Sequence, residues 1–372
     1  MTSEPLHAPL APSSAARWRQ CGRSPSLEAA FPEDEDSEEA REGTAAHWYL
    51  AERLSGRWPA KGAIAENGVP ITAEMARYVQ PLIDAVQEVQ AINDSGVHVE
   101  TRVSMAHGVH PDNWGTCDVF LVDQAARTIH IWDFKYGHGY VDHERNWQMI
   151  DYAQGVIEHH GLAPGAFSVS MTVYQPRCFH RGPAMRTWAV TGEEHMALVN
   201  ELHLAAKLVS PNASAVTGPE CKHCRGRAVC EANQRMAGHI VDIAMRSTSD
   251  GLNPREMGAE YAMLIEAEAR LKARRTGMEE AIKANPTGTG WVREQGFGRE
   301  KWTVSAEEVF ALGDMMEPPI NLAKPREAIT PVQARDLGLD VEVSKAYTIV
   351  PKGEVKLVRQ SSSAAARAFS EE

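Results

Sequence analysis

The sequence predicts an α/β fold in which one central mixed sheet is flanked by helices. Three successive segments rich in β-branched and aromatic residues, 97–104, 115–123 and 127–135, predict strands joined by turn-rich loops. A helical segment through 145–160 and a fourth strand at 167–177 follow. Helices before and after such strands are typical of an α/β or α+β core. The strand order does not follow from the sequence.

Four further helical segments complete the prediction. Pro81 is expected to bend the helix at 71–94. Thr191 with Glu194 forms a capping box that starts the helix at 192–209. The segments are 37–57, 71–94, 192–209 and, as a helix pair, 252–285. Beyond them short strand and helix signals alternate, which predicts a C-terminal α+β region.

Composition and length predict the domain organisation. The 372 residues suit one large domain or two of ordinary size. We expect a disordered N-terminus at 1–12, a main domain at 13–240 and a C-terminal accessory region at 241–372.

Charge and hydropathy exclude some classes of function. The net charge of -12 argues against a protein that coats duplex DNA with a broad basic surface. Nucleic acid remains a possible substrate, because acidic clusters can hold cations that attract phosphate. No apolar run approaches the ~18 residues that span a bilayer, and the N-terminal residues lack a signal-peptide core. We therefore expect a cytoplasmic protein with no membrane partner.

Asp133 and Lys135 stand where the third predicted strand ends. Residues i and i+2 of a strand point to the same face, so both side chains share one side of the sheet. Asp118 on the preceding strand reaches the same end if the two strands are neighbours. Paired carboxylates suit Mg²⁺ or Mn²⁺, and a Lys beside them can stabilise charge on a phosphoryl group. A solvated strand edge is the alternative for so short a motif.

Two helical segments add polar residues to this pattern. His47 lies on the first predicted helix, in GTAAH, while Gln148 and Tyr152 lie one turn apart in QMIDY. Each alone has a structural explanation, as a satisfied helix histidine or as an amphipathic edge. Together, His47, then Asp118, then Asp133 with Lys135, then Gln148 with Tyr152, in this order along the chain, indicate a functional site.

The order G-x₃-H, G-x₂-D, D-x-K, Q-x₃-Y resembles the RecB-like branch of the PD-(D/E)xK nucleases, over roughly residues 13–235. The resemblance implies a restriction-endonuclease-like core and metal-dependent hydrolysis of DNA. It implies that Lys135 is the catalytic lysine, and that Gln148 and Tyr152 contact DNA or support the site. The implied ligands of Mg²⁺ or Mn²⁺ are His47, Asp118, Asp133 and the backbone carbonyl of Phe134.

Four cysteines form a second pattern, in which C-x₂-C-x₅-C follows a lone cysteine about 200 residues earlier. In a cytosolic chain such spacing indicates metal or redox chemistry rather than disulfides. The pattern resembles iron-sulfur nucleases such as AddB and the CRISPR-associated RecB-like exonucleases, which implies a [4Fe-4S] cluster. A Cys₄ zinc site is the alternative. The four residues are Cys21, Cys221, Cys224 and Cys230.

We therefore expect a DNA exonuclease that acts on single-stranded or recessed ends in recombination or end processing. Its opening segment and tail resemble phage and prophage nucleases, which implies a single-strand annealing or other recombination protein as a partner besides DNA. Tyr140 and Trp147 are the better candidates for stacking on bases, and Trp132 is expected in the core. The alternative is a non-catalytic iron-sulfur adaptor that binds DNA. A zinc-stabilised scaffold ranks below both.

Overall fold

The computed structural model describes residues 8–31, 37–60, 62–93, 96–180, 182–245 and 253–291. The chain divides into two compact units, Met1–Arg293 and Glu294–Glu372, and the described residues all belong to the first. The α+β signals expected beyond residue 291 therefore lie outside the described residues.

Within the described ranges the chain forms eight α-helices and five strands. The helices are α1 (Ala15–Gln20), α2 (Ser24–Glu28), α3 (Glu38–Leu54), α4 (Ala73–Asn93), α5 (Trp147–His159), α6 (Gly192–Lys207), α7 (Glu231–Met245) and α8 (Pro254–Ala284). The strands are β1 (Val97–Ser104), β2 (Trp114–Asp123), β3 (Thr128–Phe134), β4 (Ser168–Tyr174) and β5 (Met185–Val190). Short 3₁₀ helices lie at Pro12–Ser14, Pro219–His223 and Arg225–Ala228.

The strands form one mixed sheet in the order β1-β2-β3-β4-β5. β1, β2 and β3 are antiparallel neighbours, β4 runs parallel to β3, and β5 is antiparallel to β4. A parallel pair needs a long crossover, and α5 supplies it between β3 and β4. The predicted mixed sheet with flanking helices is confirmed. β5 was not predicted.

Alternation along the strands separates two hydrophobic cores. On β3, Ile131 packs into the core formed with α5 and α6, whereas Trp132 packs into the one formed with α3 and α4. Trp132 is 4% exposed, which confirms its expected place in the core. The sheet is thus the middle layer between two helical layers.

The predicted helix caps agree with the structure, but several elements differ, and α1, α2 and α7 were not predicted. The Thr191 capping box begins α6 as predicted, and Ser37 caps α3. The expected helix pair at 252–285 is wrong, since α8 is one continuous helix with a capping box at Asn253. Residues 1–7 lie outside the described part, but Leu10 is buried, so order begins earlier than predicted. The predicted boundary near 240 falls inside α7, and the accessory role of 241–372 stays a prediction.

A buried carboxyl group on α5 faces β2. Asp151 and Asn113 are both fully buried, and the amide of Asn113 donates to both carboxylate oxygens at 2.9 Å. Burial raises the pKa of Asp151 to about 8, although the bond from Asn113 acts in the opposite direction. Asp151 is thus protonated in the folded protein at neutral pH.

The first prediction concerns stability against pH. The unfolded pKa of an Asp is ~3.9, so between about pH 4 and 8 the folded state binds more protons and its stability falls as the pH rises. The full effect is on the order of 5 kcal/mol. Asp151→Asn should remove this fall while keeping a neutral partner for Asn113. Urea unfolding of both proteins from pH 5 to 9 measures the difference.

The matched control is Asp112→Asn, since the Asp112 carboxylate is largely exposed. That variant should follow the wild-type pH profile. If the free energy of unfolding changes with pH by the same slope in Asp151→Asn and in the wild type, Asp151 is already ionised in the folded protein.

Candidate functional site

The predicted carboxylates meet where β2 and β3 part. The pairing of the two strands runs as far as Val119 and Trp132, and the next residues are Asp118 and Asp133. Here the backbone N–H of Phe134 donates to Oδ2 of Asp118 at 2.9 Å. A side chain of β2 thus binds the backbone of β3 and fixes the position of the Asp118 carboxylate.

Asp133 and Lys135 form a charge pair at the end of β3. Nζ of Lys135 donates to Oδ1 of Asp133 at 2.9 Å, and Asp133 is 2% exposed. Oδ2 of Asp133 is buried and has no hydrogen-bond partner in the described part of the chain. Burial raises the pKa of Asp133, Lys135 opposes the rise, and Asp118 adds to it. The site therefore has more negative charge than one ammonium compensates.

Helix α5 places two polar side chains beside Lys135. Nζ of Lys135 lies 3.3 Å from Oε1 of Gln148, and Gln148 is also hydrogen-bonded to the Tyr152 hydroxyl. Asn146 caps the helix through the N–H groups of Gln148 and Met149, which fixes its first turn. Burial, with smaller contributions from Asp118 and other anions, raises the pKa of Tyr152 well above its usual range. Tyr152 is therefore a neutral hydroxyl here.

Gly115 explains the glycine of the G-x₂-D motif. A Cβ at this position would lie 3.1 Å from Cε1 of Tyr152 and 2.9 Å from Cδ of Pro12. Both contacts are shorter than ordinary van der Waals separations, so a larger residue would displace the tyrosine ring.

A third group of side chains lies beside Asp118. Nδ1 of His47 on α3 is 3.5 Å from Oε1 of Glu100 and 3.7 Å from Oδ2 of Asp118. Candidate ligand atoms of the three residues all lie within 4.8 Å of one another. Burial lowers the pKa of His47, but the two carboxylates outweigh it and raise the pKa to about 9. The group attracts positive charge and could hold a divalent ion.

Glu100 was missed by the sequence analysis. The flanking pairs Val99 with Val119 and Thr101 with Cys117 place it opposite Asp118. Its φ of 42° lies in the left-handed region, which is strained for a residue other than glycine. The available signal was an acidic residue within a predicted strand, and only the pairing of β1 with β2 shows which aspartate it faces.

The structure thus brings the predicted site residues into two adjoining groups. His47 and Asp118 join Glu100, while Lys135 joins Asp133 on one side and the Gln148 side chain on the other. Phe134 contributes its N–H to Asp118. The assignment of the Phe134 carbonyl and the Asp133 carboxylate as metal ligands stays a prediction.

The four predicted cysteines line one cavity. Cys21 follows α1, Cys221 and Cys224 lie around the 3₁₀ helices, and Cys230 precedes α7. Backbone N–H groups donate to two of the sulfurs, from Val216 to Cys21 at 3.4 Å and from Gly218 to Cys221 at 3.3 Å. Among the described residues, these thiols do not belong to any group of three or more candidate ligand atoms that all lie within 4.8 Å of one another. The cysteines converge, but around a space wider than one small ion needs.

The two rings predicted to contact bases differ in their surroundings. Tyr140 is 54% exposed on the loop after β3. Trp147 is partly buried, with the guanidinium of Arg19 3.9 Å from its ring centre and that of Arg145 5.6 Å away. Both arginines also contact Glu201 on α6. Aromatic and basic groups therefore lie together at the start of α5.

A family model described as "Protein of unknown function (DUF2800)" matches residues 7–363. The match spans almost the whole chain and carries no activity or ligand with it. Within the described ranges, no helix has the length and apolarity that a membrane span requires.

The second prediction tests whether Glu100 binds a metal. Glu100→Gln keeps the size of the side chain but removes a charged oxygen ligand. We expect the affinity for Mn²⁺ to fall by more than about tenfold. Mutation of residues that only hydrogen-bond the metal ligands already lowers metal affinity by about tenfold or more. Titration of free Mn²⁺ by electron paramagnetic resonance measures it. Glu88→Gln, on the exposed side of α4, is the control. Equal affinities in all three proteins would remove Glu100 from the ligand set.

Proposed function

Because the chain belongs to the DUF2800 family, for which no activity is described, we propose its function from the site itself: a metal-dependent nuclease that hydrolyses phosphodiester bonds in DNA. The observation that carries this proposal is the position of the Lys135 ammonium. It is held between Asp133 and Gln148, beside the carboxylate of Asp118. A partly buried ammonium next to paired carboxylates suits chemistry in which negative charge grows on a phosphoryl group.

The fold supports a PD-(D/E)xK core of the RecB-like kind. Three antiparallel strands followed by a helix and a parallel fourth strand carry the motif residues on β2, β3 and α5. The histidine of the pattern comes from α3, which packs on the other side of the sheet. All four motif elements therefore reach one end of β3.

The donor atoms fit a hard divalent ion. Two carboxylates and one imidazole surround the candidate position, and carboxylates suit Mg²⁺ and Mn²⁺ while an imidazole favours Mn²⁺ of the two. Oδ2 of Asp133 adds a buried oxygen that has no hydrogen-bond partner among the described residues. His47 would bind the metal through its neutral imidazole. At a pH at which His47 is protonated in the metal-free protein, metal binding would release that proton.

Each protein group has a definite task in the proposed reaction. A bound ion would neutralise the carboxylates and polarise the phosphate. Lys135 orients the attacking water and stabilises the charge that grows on the phosphoryl oxygens. Both Asp133 and Asp118 raise the pKa of Lys135 against the effect of its burial, so the ammonium stays charged. Gln148 and Tyr152 position Lys135 through their hydrogen bonds.

The surface beside α5 supports single-stranded DNA as the substrate. Tyr140 offers an exposed ring for stacking, and Arg19 with Arg145 lies over Trp147. Aromatic rings beside cationic groups bind unpaired bases and phosphates without sequence preference. The net charge of -12 disfavours binding along a duplex, so we propose binding at a DNA end.

We further propose that the four cysteines hold a [4Fe-4S] cluster. Backbone N–H groups donate to two of the sulfurs, a feature that tunes thiolate-bound clusters. Four sulfurs around one tetrahedral zinc lie about 3.8 Å apart, as follows from a Zn–S distance of ~2.3 Å. The wider separation of the thiols favours a cluster of several irons over one zinc. Its position near α1 and α7 gives it a structural role.

The third prediction separates catalysis from binding. Lys135→Ala should lower metal-dependent cleavage by about 10²–10³-fold, because the charge that stabilises the transition state is gone. DNA affinity should change little. The measurement uses end-labelled single-stranded and duplex oligonucleotides with Mn²⁺ or Mg²⁺, and fluorescence anisotropy with Ca²⁺ for binding. Lys207→Ala, exposed on α6, is the matched control.

Two other outcomes have distinct meanings. Parallel loss of binding and cleavage would make Lys135 a phosphate anchor. DNA binding without cleavage in the wild type, with both metals present, would instead select the non-catalytic adaptor. Asp118→Asn completes the set, since it keeps an acceptor for the N–H of Phe134 while removing the charge that a metal needs.

The fourth prediction concerns the cluster. Protein purified without oxygen should be brown, with about four irons per chain and thiolate-to-iron absorption. Cys21→Ala should lower the iron content and the melting temperature before it lowers the specific activity of the folded fraction. Cys178→Ala, which lies outside the cavity, is the control. Colourless protein with one zinc per chain would establish the zinc alternative.

A further inference from the structure

Three histidines lie together at the far end of α5, away from the proposed nuclease site. His98 is on β1, His159 is the last residue of α5, and His160 caps the helix. Their ring centres are 5.0 to 6.0 Å apart, and one nitrogen of each lies within 4.8 Å of the others. The C-terminus of a helix carries partial negative charge, which favours a cation there.

One ring nitrogen in this group lacks a partner. Nε2 of His160 is buried and makes no hydrogen bond within the described part of the chain. A buried polar atom without a partner carries a free-energy cost unless a ligand satisfies it. The ring of His98 is meanwhile held in place, since it stacks on Phe120 with centres 4.5 Å apart and planes 4° from parallel.

We propose that His98, His159 and His160 bind a transition-metal ion, zinc(II) in the first place. The donors of this set are all imidazole nitrogens, which suit zinc, nickel and copper rather than Mg²⁺. Nitrogens around a tetrahedral zinc lie about 3.4 Å apart, from a Zn–N distance of ~2.1 Å. Rotation of the His159 and His160 rings toward His98 would close the remaining distance. Three protein ligands leave a fourth position for water or an exchangeable group.

Such an ion would link two elements that carry the nuclease residues. β1 is the edge strand of the sheet and holds Glu100, two residues after His98. On α5, Gln148 lies about 16 Å along the helix axis from His159, at a rise of 1.5 Å per residue. Binding at the histidines would therefore stabilise the packing of the edge strand on α5. The inference does not depend on the proposed nuclease activity.

The test measures zinc in the full chain after treatment with a chelator. A chromophoric chelator competes for the metal, and wild type is compared with His159→Asn. The variant should bind one zinc fewer, or bind that zinc more than about tenfold more weakly. It should also lose the rise in melting temperature that zinc gives the wild type. His160→Asn should behave in the same way.

Controls separate this site from other zinc-binding groups. His239→Asn changes an exposed histidine of α7 and should match the wild type. The loss caused by His159→Asn should persist when Glu100→Gln and Cys21→Ala are also present, because neither belongs to the histidine site. Identical zinc content and identical melting shifts in the wild type and both histidine variants would overturn the proposal and make the three rings a packed cap of the helix.

Discussion

The burial of Asp133 is the constraint on which the rest of the site depends. Its carboxylate ends a central strand at 2% exposure, where an unpaired charge costs several kcal/mol. Lys135 donates to one oxygen, and the other has no hydrogen-bond partner in the part of the chain that the structure describes. Asp118 lies near enough to raise the pKa of Asp133 further. A divalent cation would relieve this repulsion, and the side chains of His47 and Glu100 beside Asp118 form a candidate position for it.

The sheet creates this arrangement through irregularities rather than through its regular ladder. β2 and β3 part, and the carboxylate of Asp118 then binds the N–H of Phe134. On β1, Glu100 holds a left-handed conformation, which costs ~1–3 kcal/mol and is typical of functional sites. The crossover helix α5 brings Gln148 over the same strand end because β3 and β4 are parallel.

Three groups of candidate metal-binding side chains lie in the first compact unit, and they differ in their donor atoms. Oxygen atoms dominate beside Asp118, sulfur atoms around Cys21, and imidazole nitrogens around His98. Hard ions prefer oxygen donors, soft ions prefer sulfur donors and borderline ions prefer imidazole nitrogens, so the three groups would favour different metals. The proposed cluster would also join the two ends of the candidate nuclease region. Closing a loop of about 200 residues removes unfolded-state entropy worth ~4–5 kcal/mol, by analogy with a disulfide.

The sequence by itself determined the local features of this protein. Four strands and the shared face of Asp133 with Lys135 follow from residue types and the strand periodicity of two. The capping box of α6 follows from the side chains of Thr191 and Glu194. The strand β5, the unbroken α8 and the role of Glu100 required the tertiary structure. Glu100 shows the reason: its partner Asp118 is distant in sequence, and only the register of β1 on β2 sets the two side by side. Pairing between distant segments depends on packing over the whole sheet, and no local pattern records it.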